Sequence, residues 1–299
     1  MSTTPVANSG LRYVILGGST AAGKTDLAVR IAEGHGTEIV SADAFQVYDG
    51  LDLLSAKPSR EQRKRVPHHL VGFVPLPQPY DAHQFGRHAR EAIARANSAG
   101  KIPLVVGGTG FYLHALTSRL PELPAPDPEL RSRLEAMAPE HLIKELHTLD
   151  PHGFNRIDLQ NPRRVLRAVE VCRQTGKPFS SFAIVPESAP PSFVLVRSRA
   201  ELRQRIDKRV EEMFAKGVVD EVASAGQAGP TASRMIGLYL ICDLLAGRIS
   251  VTECVRAIQQ QTRQYARRQE TWFRGKSYVP VSAEEAADVV GRALDNCHE

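Results

Sequence analysis

The stretch Gly18-Ser19-Thr20-Ala21-Ala22-Gly23-Lys24-Thr25 fits the pattern G-x-x-x-x-G-K-[ST] in full. It follows Arg12-Tyr13-Val14-Ile15-Leu16-Gly17, which reads as a short buried strand. It opens a helix over 24–34 with Leu27, Ala28 and Ile31 on one side. Strand, loop and helix in that order are the setting the pattern requires. The glycines let backbone N–H groups turn inward around phosphate oxygens. The helix start adds partial positive charge. Lys24 supplies a full charge and Thr25 a hydroxyl for Mg²⁺. Residues Gly18 to Thr25 are therefore the candidate diphosphate cradle, and the motif alone leaves the reaction open.

Working outward, residues 38–42 and 102–106 read as further buried strands, with a helix over 84–99 between them. Residues 193–197 read as a return strand and 278–281 as a last short one. Strands alternating with helices predict an α/β fold, a P-loop NTPase-like parallel sheet covered on both faces. The proline clusters at 121–128 and 186–191 interrupt the pattern, and the sequence between them is helix-like. This predicts a catalytic core over 1–119 and 192–299, a helical insertion over 120–191, and a frayed tail over 1–10.

The chain has 299 residues, 42% hydrophobic and 24% charged, with 38 Lys+Arg against 33 Asp+Glu, or +5. That balance excludes a disordered, collagenous or coiled-coil protein. The charge permits a phosphate-rich partner without establishing one. The four cysteines form no C-x-x-C pair, and a reducing compartment is expected. No apolar run is long enough for a membrane span and the first residues lack a signal-peptide pattern, so the expectation is a cytoplasmic protein without a membrane partner.

The apolar strand 102–106 ends in Gly107-Gly108-Thr109-Gly110 rather than in the metal-binding Asp of a motor ATPase. A strand-end carboxylate appears instead at Asp43, where the crevice of such a sheet lies. Its ordinary alternative is a turn or cap aspartate. In the helix 255–274, Arg256, Arg263, Arg267 and Arg274 fall within about 40° of one another, opposite Ile258, Tyr265 and Trp272. Residues 155–180 hold six Lys/Arg against two Asp/Glu, a local +4, including Arg163 and Arg167 on one helical face behind the cap Asn161 and Pro162. A third basic cluster is Arg203, Arg205, Lys208 and Arg209. Each alone is ordinary surface, but together they predict a polyanion-binding surface. His68-His69 reads as loop, without a third metal ligand at a convincing spacing.

These residues then carry a resemblance. Gly18–Thr25, Ser41-Ala-Asp43-Ala44-Phe45-Gln46-Val-Tyr48, Ala56-Lys-Pro58 and Pro67-His-His-Leu70 resemble the tRNA dimethylallyltransferases. So do Val106-Gly-Gly-Thr-Gly-Phe-Tyr-Leu113, the run 161–171 from Asn161 to Val171, Gly217-Val-Val-Asp-Glu-Val222 and Tyr265-Ala-Arg-Arg-Gln-Glu-Thr-Trp-Phe-Arg274. The blocks keep the family's order over about residues 12–275. The family usually has Gly-Pro-Thr-Ala, Asp-Ser-x-Gln, Gly-Thr-Ala-Lys-Pro and Gly-Tyr-Arg. Here stand Gly17-Gly-Ser-Thr-Ala21, Asp43-Ala-Phe-Gln46, Leu54-Ser-Ala-Lys-Pro58 and Gly237-Leu-Tyr239.

The resemblance implies transfer of a dimethylallyl group from its diphosphate to N6 of the adenosine adjacent to the anticodon in tRNA, with release of diphosphate. By position it makes Asp43 the general base. Thr109 becomes a hydroxyl near the donor, and Arg209 the charge that joins Lys24 and Mg²⁺ on the leaving group. It places Asp43, Ala44, Phe45 and Gln46 at the extruded base. Arg163, Arg164, Arg167, Arg263, Arg267, Arg268, Gln269 and Arg274 would lie on the anticodon stem-loop, with 120–191 as the anticodon-binding lobe of a monomer. The competing readings are a P-loop small-molecule kinase, an isopentenyltransferase acting on free adenine nucleotides, and a nucleotide-dependent RNA-binding switch.

Overall fold

The computed structural model describes residues 10–297. The expected tail therefore falls, but for Gly10, outside the described residues. The chain divides into two compact units, one made of residues up to Thr117 and from Glu187 on, the other Ser118–Pro186.

In the first unit, β1 (Val14–Gly18), β2 (Ile39–Ala42), β3 (His68–His69) and β4 (Leu104–Gly107) precede the second unit in sequence. The two-residue strands β5 (Ser118–Arg119) and β6 (Val185–Pro186) belong to that second unit, and β7 (Ser192–Leu195) and β8 (Val279–Val281) return to the first. Six strands form one sheet in the order β3-β2-β4-β1-β7-β8. Every pairing in it is parallel. The central strands β1 and β4 are short and largely apolar because both faces are covered: Val14, Ile15, Leu16, Leu104 and Val105 have no exposed surface. The parallel α/β core expected from the sequence is thus present. His68-His69, read as loop, forms the edge strand instead, paired with Ile39 and Val40. Two residues carry no period that a sequence reading can detect.

The helices of this unit are α1 (Lys24–Gly34), α2 (Arg60–Arg65), α3 (Ala82–Ser98), α4 (Gly110–Thr117), and, after the second unit, α9 (Arg199–Ala215), α10 (Val218–Ser224), α11 (Leu238–Leu245), α12 (Val251–Arg274) and α13 (Ala286–Asn296). On one face of the sheet, Leu27 and Ile31 of α1 and Val290 and Leu294 of α13 join Val14, Leu16 and Leu104 in one apolar cluster. α12 packs against β1, α4 and α9. It begins at a capping box in which the Ser250 hydroxyl accepts from Glu253 N–H while the Glu253 carboxylate accepts from Ser250 N–H.

The second unit holds α5 (Pro128–Glu135), α6 (Pro139–Leu149), α7 (Pro151–Phe154) and α8 (Pro162–Thr175). They enclose Leu130, Leu134, Leu142, Leu146, Val165 and Val169. Asn161 caps α8 by accepting from Arg164 N–H. Buried Asp150 accepts from Gly153 N–H at 2.8 Å and from the N–H and hydroxyl of Ser180, each at 2.7 Å. Burial by itself would raise the Asp150 carboxyl, but these hydrogen bonds outweigh it and hold the group below its ordinary value.

Candidate active site

The topology itself brings the site together. β4 lies between β1 and β2, with Gly107 in register with both Gly17 and Ala42. The C-terminal ends of the three strands therefore stand in a row. They deliver the phosphate loop, Gly108-Thr109 and Asp43 to one crevice, where ligands of parallel sheets bind. The row is tight. A Cβ on Gly107 would strike the carbonyl of Ala42, and one on Gly108 the Gln269 amide.

The loop turns on left-handed backbone at Ala21 (φ 62°) and Gly23 (φ 93°). Its outward carbonyls are held by arginines. Arg205 donates to Ala21 O at 2.7 Å, and Arg197 to Ala22 O at 3.1 Å. Lys24 Nζ donates to Ser19 O at 2.7 Å, and Arg209 donates to the Thr20 hydroxyl at 3.1 Å. Burial pushes the Lys24 ammonium down to about 8, with Asp43 opposing the shift and Arg209 adding to it. Burial also lowers Arg209, again opposed by Asp43. Two cations held close together without full solvation are poised for an anion.

Asp43 sits in a turn of its own making. Its Oδ1 accepts from Phe45 N–H at 2.9 Å and from Gln46 N–H at 3.3 Å. Anchoring one oxygen leaves Oδ2 for the crevice. The Thr109 hydroxyl accepts from Ala44 N–H at 3.0 Å, tying the β4 turn to the same loop. Tyr265 also reaches this corner. Its phenol is pushed up to about 12 by burial and by Asp43, against hydrogen bonds with Thr109 and Gln269.

Two cavities meet here. A polar one of about 420 Å³ is lined by Lys24, Thr25, Asp43, Gln46, Arg209 and others. A smaller apolar one of about 60 Å³ is walled by Leu54, Ile206, Val210, Met213, Met235 and Ile258. Thr20, Asp43, Ser55 and Arg209 line both. His68 is a further wall of the polar cavity. Its Nδ1 lies 2.8 Å from Val66 O, and its buried Nε2 has no hydrogen-bond partner among the described residues.

The expected RNA-facing residues separate into groups. Arg267, Arg268 and Arg274 are exposed on α12, and the Arg268 guanidinium lies 5.6 Å from the centre of the Tyr265 ring. Arg163 and Arg164 are exposed on α8, the latter 3.6 Å from Asp158. Three placements differ from the sequence reading. Arg263 is engaged in an ion pair with Asp207 of α9. Arg167 donates to Glu170 Oε2 and to Pro124 O, each at 2.6 Å, and so pairs with a fully buried carboxylate that Arg131 also meets. Gln269 is 5% exposed. It accepts from Thr20 N–H at 2.7 Å and donates to Gly108 O at 2.8 Å, so it braces the phosphate loop. A signal for Gln269 existed: at 100° per residue it lies about 20° from Ile258, on the apolar seam. Arg197 and Arg205 had no such signal, since their partners are backbone carbonyls.

No group of three or more His, Cys, Asp or Glu side chains able to hold a metal occurs among the described residues. The Thr25 hydroxyl is a hard oxygen donor on the wall of the polar cavity. It suits Mg²⁺, which takes few protein ligands and completes its shell with substrate phosphates and water.

The IPP transferase family model matches residues 46–276, and an isopentenyl transferase model matches residues 11–67. A tRNA dimethylallyltransferase 2 from Geotalea uraniireducens is 41% identical over 276 residues, covering 88% of this chain and 89% of its own. A tRNA dimethylallyltransferase from Thermus thermophilus is 41% identical over 291 residues, covering 91% and 94%. The crystal structure of the full-length tRNA isopentenylpyrophosphate transferase from Bacillus halodurans superposes with a TM-score of 0.69 at 28% identity, covering 96% of this chain and 98% of that one. Matches of this extent, on a chain whose three strand ends meet at one crevice, mean that the chain belongs to the IPP transferase family.

Proposed function

We propose that this chain transfers a dimethylallyl group from dimethylallyl diphosphate to N6 of the adenosine adjacent to the anticodon in tRNA, acting as a monomer in the cytoplasm. The observation that carries the reading is the junction of the two cavities. A phosphate cradle adjoins an apolar chamber at Thr20, Asp43, Ser55 and Arg209. A diphosphate with a short branched hydrocarbon tail matches both at once, whereas a phosphoryl donor has no use for the chamber. The names of the relatives support the same chemistry.

In this reading the N6 amine attacks the allylic carbon. The carbon–oxygen bond breaks, and diphosphate leaves with the electron pair. Asp43 takes the N6 proton on Oδ2 while its Oδ1 stays in the turn. Lys24 and Arg209 hold the charge that develops on the leaving oxygen, which is commonly the largest catalytic contribution. Thr25 is the residue that would hold Mg²⁺, and the ion would neutralise part of the charge of the diphosphate. Thr109 keeps the Asp43 turn and the β4 turn in one arrangement, which aligns a weak nucleophile. The exposed arginines of α12 hold phosphates of the anticodon stem-loop, offsetting the cost of unstacking the adenine.

The deciding assay gives purified protein labelled dimethylallyl diphosphate, an anticodon stem-loop RNA and Mg²⁺. Transfer to the RNA is expected. ATP turnover without transfer supports the kinase, prenylation of free AMP in preference to RNA supports the nucleotide-prenylating enzyme, and RNA binding without either reaction supports the switch.

Two further outcomes follow from the geometry. Because burial lowers Lys24 to about 8, its charge is present below that pH and is lost above it. The KM for dimethylallyl diphosphate is expected to rise as pH increases through 8, and Lys24→Arg is expected to flatten that rise, since the guanidinium stays charged. A KM independent of pH in the unsubstituted protein contradicts the assignment. Arg267→Ala removes an exposed cation of α12. It is expected to weaken RNA binding and to reduce the slope of log affinity against log salt by roughly one, leaving the donor KM unchanged. An unaltered salt slope excludes a phosphate contact at Arg267.

A further inference from the structure

Glu221 lies in the block Gly217–Val222, for which the chemistry above has no use, yet its carboxylate is committed to the site. It is on α10, and it accepts from Leu53 N–H at 2.7 Å and from Leu54 N–H at 2.9 Å. These two N–H groups belong to the turn that ends in Ala56. Ala56 is one of three non-glycine residues in left-handed backbone among those described, at φ 49°. An alanine stays there only when its surroundings fix it.

The Ala56 carbonyl accepts from Gln46 Nε2 at 3.0 Å, and Ser41 Oγ lies 3.0 Å from Gln46 Oε1. A carbonyl only accepts, so the group facing Ala56 must be the NH₂ end of the amide. The oxygen end then faces Ser41, whose hydroxyl must donate to it. A flipped amide would set two oxygens against each other at Ala56. The Ala56 carbonyl therefore fixes which way round Gln46 points. An amide has two N–H groups and two lone pairs, and one of each is taken here. One donor and one acceptor thus remain on Gln46, which lines the polar cavity. That is the complement of an adenine edge, which offers the N6 amine as donor beside a ring nitrogen as acceptor.

We infer that Glu221 is a positioning residue for base recognition, acting through the Leu53–Ala56 turn to fix the orientation of the Gln46 amide toward the extruded adenine. The inference rests on the transferase reading. Glu221 touches no substrate.

The test is a double-mutant cycle of Glu221→Gln and Gln46→Ala, read as kcat and as the separate KM values for stem-loop RNA and dimethylallyl diphosphate. Glu221→Gln keeps one acceptor and sets an NH₂ against the second N–H. It is expected to lower kcat/KM for RNA roughly tenfold, with a smaller change in the donor KM, since Leu54 also walls the apolar chamber. On the Gln46→Ala background the same substitution is expected to have no further effect. Additive losses, or an equal change in the donor KM, overturn the inference while leaving the transferase reading intact. A Gln46→Ala variant as active on RNA as the unsubstituted protein also overturns it. Absence of transfer by the unsubstituted protein removes both readings. If Glu221→Gln does not fold, Ala56→Gly serves in its place. It keeps the carbonyl and the left-handed backbone but loosens the turn, and a loss on RNA that vanishes with Gln46→Ala is again expected.

Discussion

Asp43→Ala is expected to lower kcat for prenyl transfer by about 1,000-fold, the middle of the range for a positioned general base, while stem-loop binding stays intact. The substitution removes two functions together. It takes the proton acceptor away, and it releases Phe45 N–H and Gln46 N–H from the carboxylate that caps them. Asp43→Asn separates the two. The asparagine oxygen still accepts from both N–H groups, so the turn survives, but an amide does not take up a proton. Both variants are therefore expected to lose rate to a similar degree, with an unchanged donor KM for Asp43→Asn. Rapid-quench measurement of a single turnover at saturating RNA checks this directly. An Asp43→Asn variant retaining most of its rate would show that the residue acts only by holding the loop, and the proton would need another acceptor.

Arg209→Ala is expected to cost between about 100-fold and 1,000-fold in kcat, the size seen when one preorganised charge is removed from a developing anion. Arg209 is half-buried, donates to the Thr20 hydroxyl and lies in the field of Asp43. Removing it leaves Lys24 in the field of Asp43 and relieves one of the influences that lower Lys24. The Arg209→Ala variant should therefore show its donor KM rising at a higher pH than the unsubstituted protein. Arg209→Lys is expected to recover little, because an ammonium does not present the guanidinium fork. A variant with full kcat and a raised RNA KM alone would move Arg209 from the leaving group to the nucleic acid.

The phosphate loop was legible because its chemistry is local: eight consecutive residues carry both the turn and the charge. The strands were legible because burial on both faces leaves long apolar runs. The parts that escaped are those made by tertiary partners. Arg263 looks like one of a stripe of free cations, but Asp207 comes from α9 to meet it. Arg167 looks like a partner of Arg163, but its length is spent on Glu170 and Pro124, inside the Ser118–Pro186 unit. Arg205 falls in a basic cluster expected to meet a polyanion and Arg197 in no motif, and only the folded loop shows which carbonyls they meet. Gln269 differs, since its angle on the helix gave its position and only its polarity misled. The edge strand His68-His69 is too short for any pattern and is recruited by its neighbour.

The glycine pairs at the ends of β1 and β4 have a last consequence. They leave room for the side chains of α12: Phe273 occupies the space a Cβ of Gly17 would need, and Gln269 that of Gly108. The helix is thus a keystone whose inner surface seals the catalytic chamber while its outer surface carries the arginines. A single residue inserted between Arg263 and Gln269 would rotate everything beyond it by about 100°. The brace on the loop and the outer charges would swing out of place together. A change of length inside α12 is therefore expected to disable the inner brace and the outer charges at once.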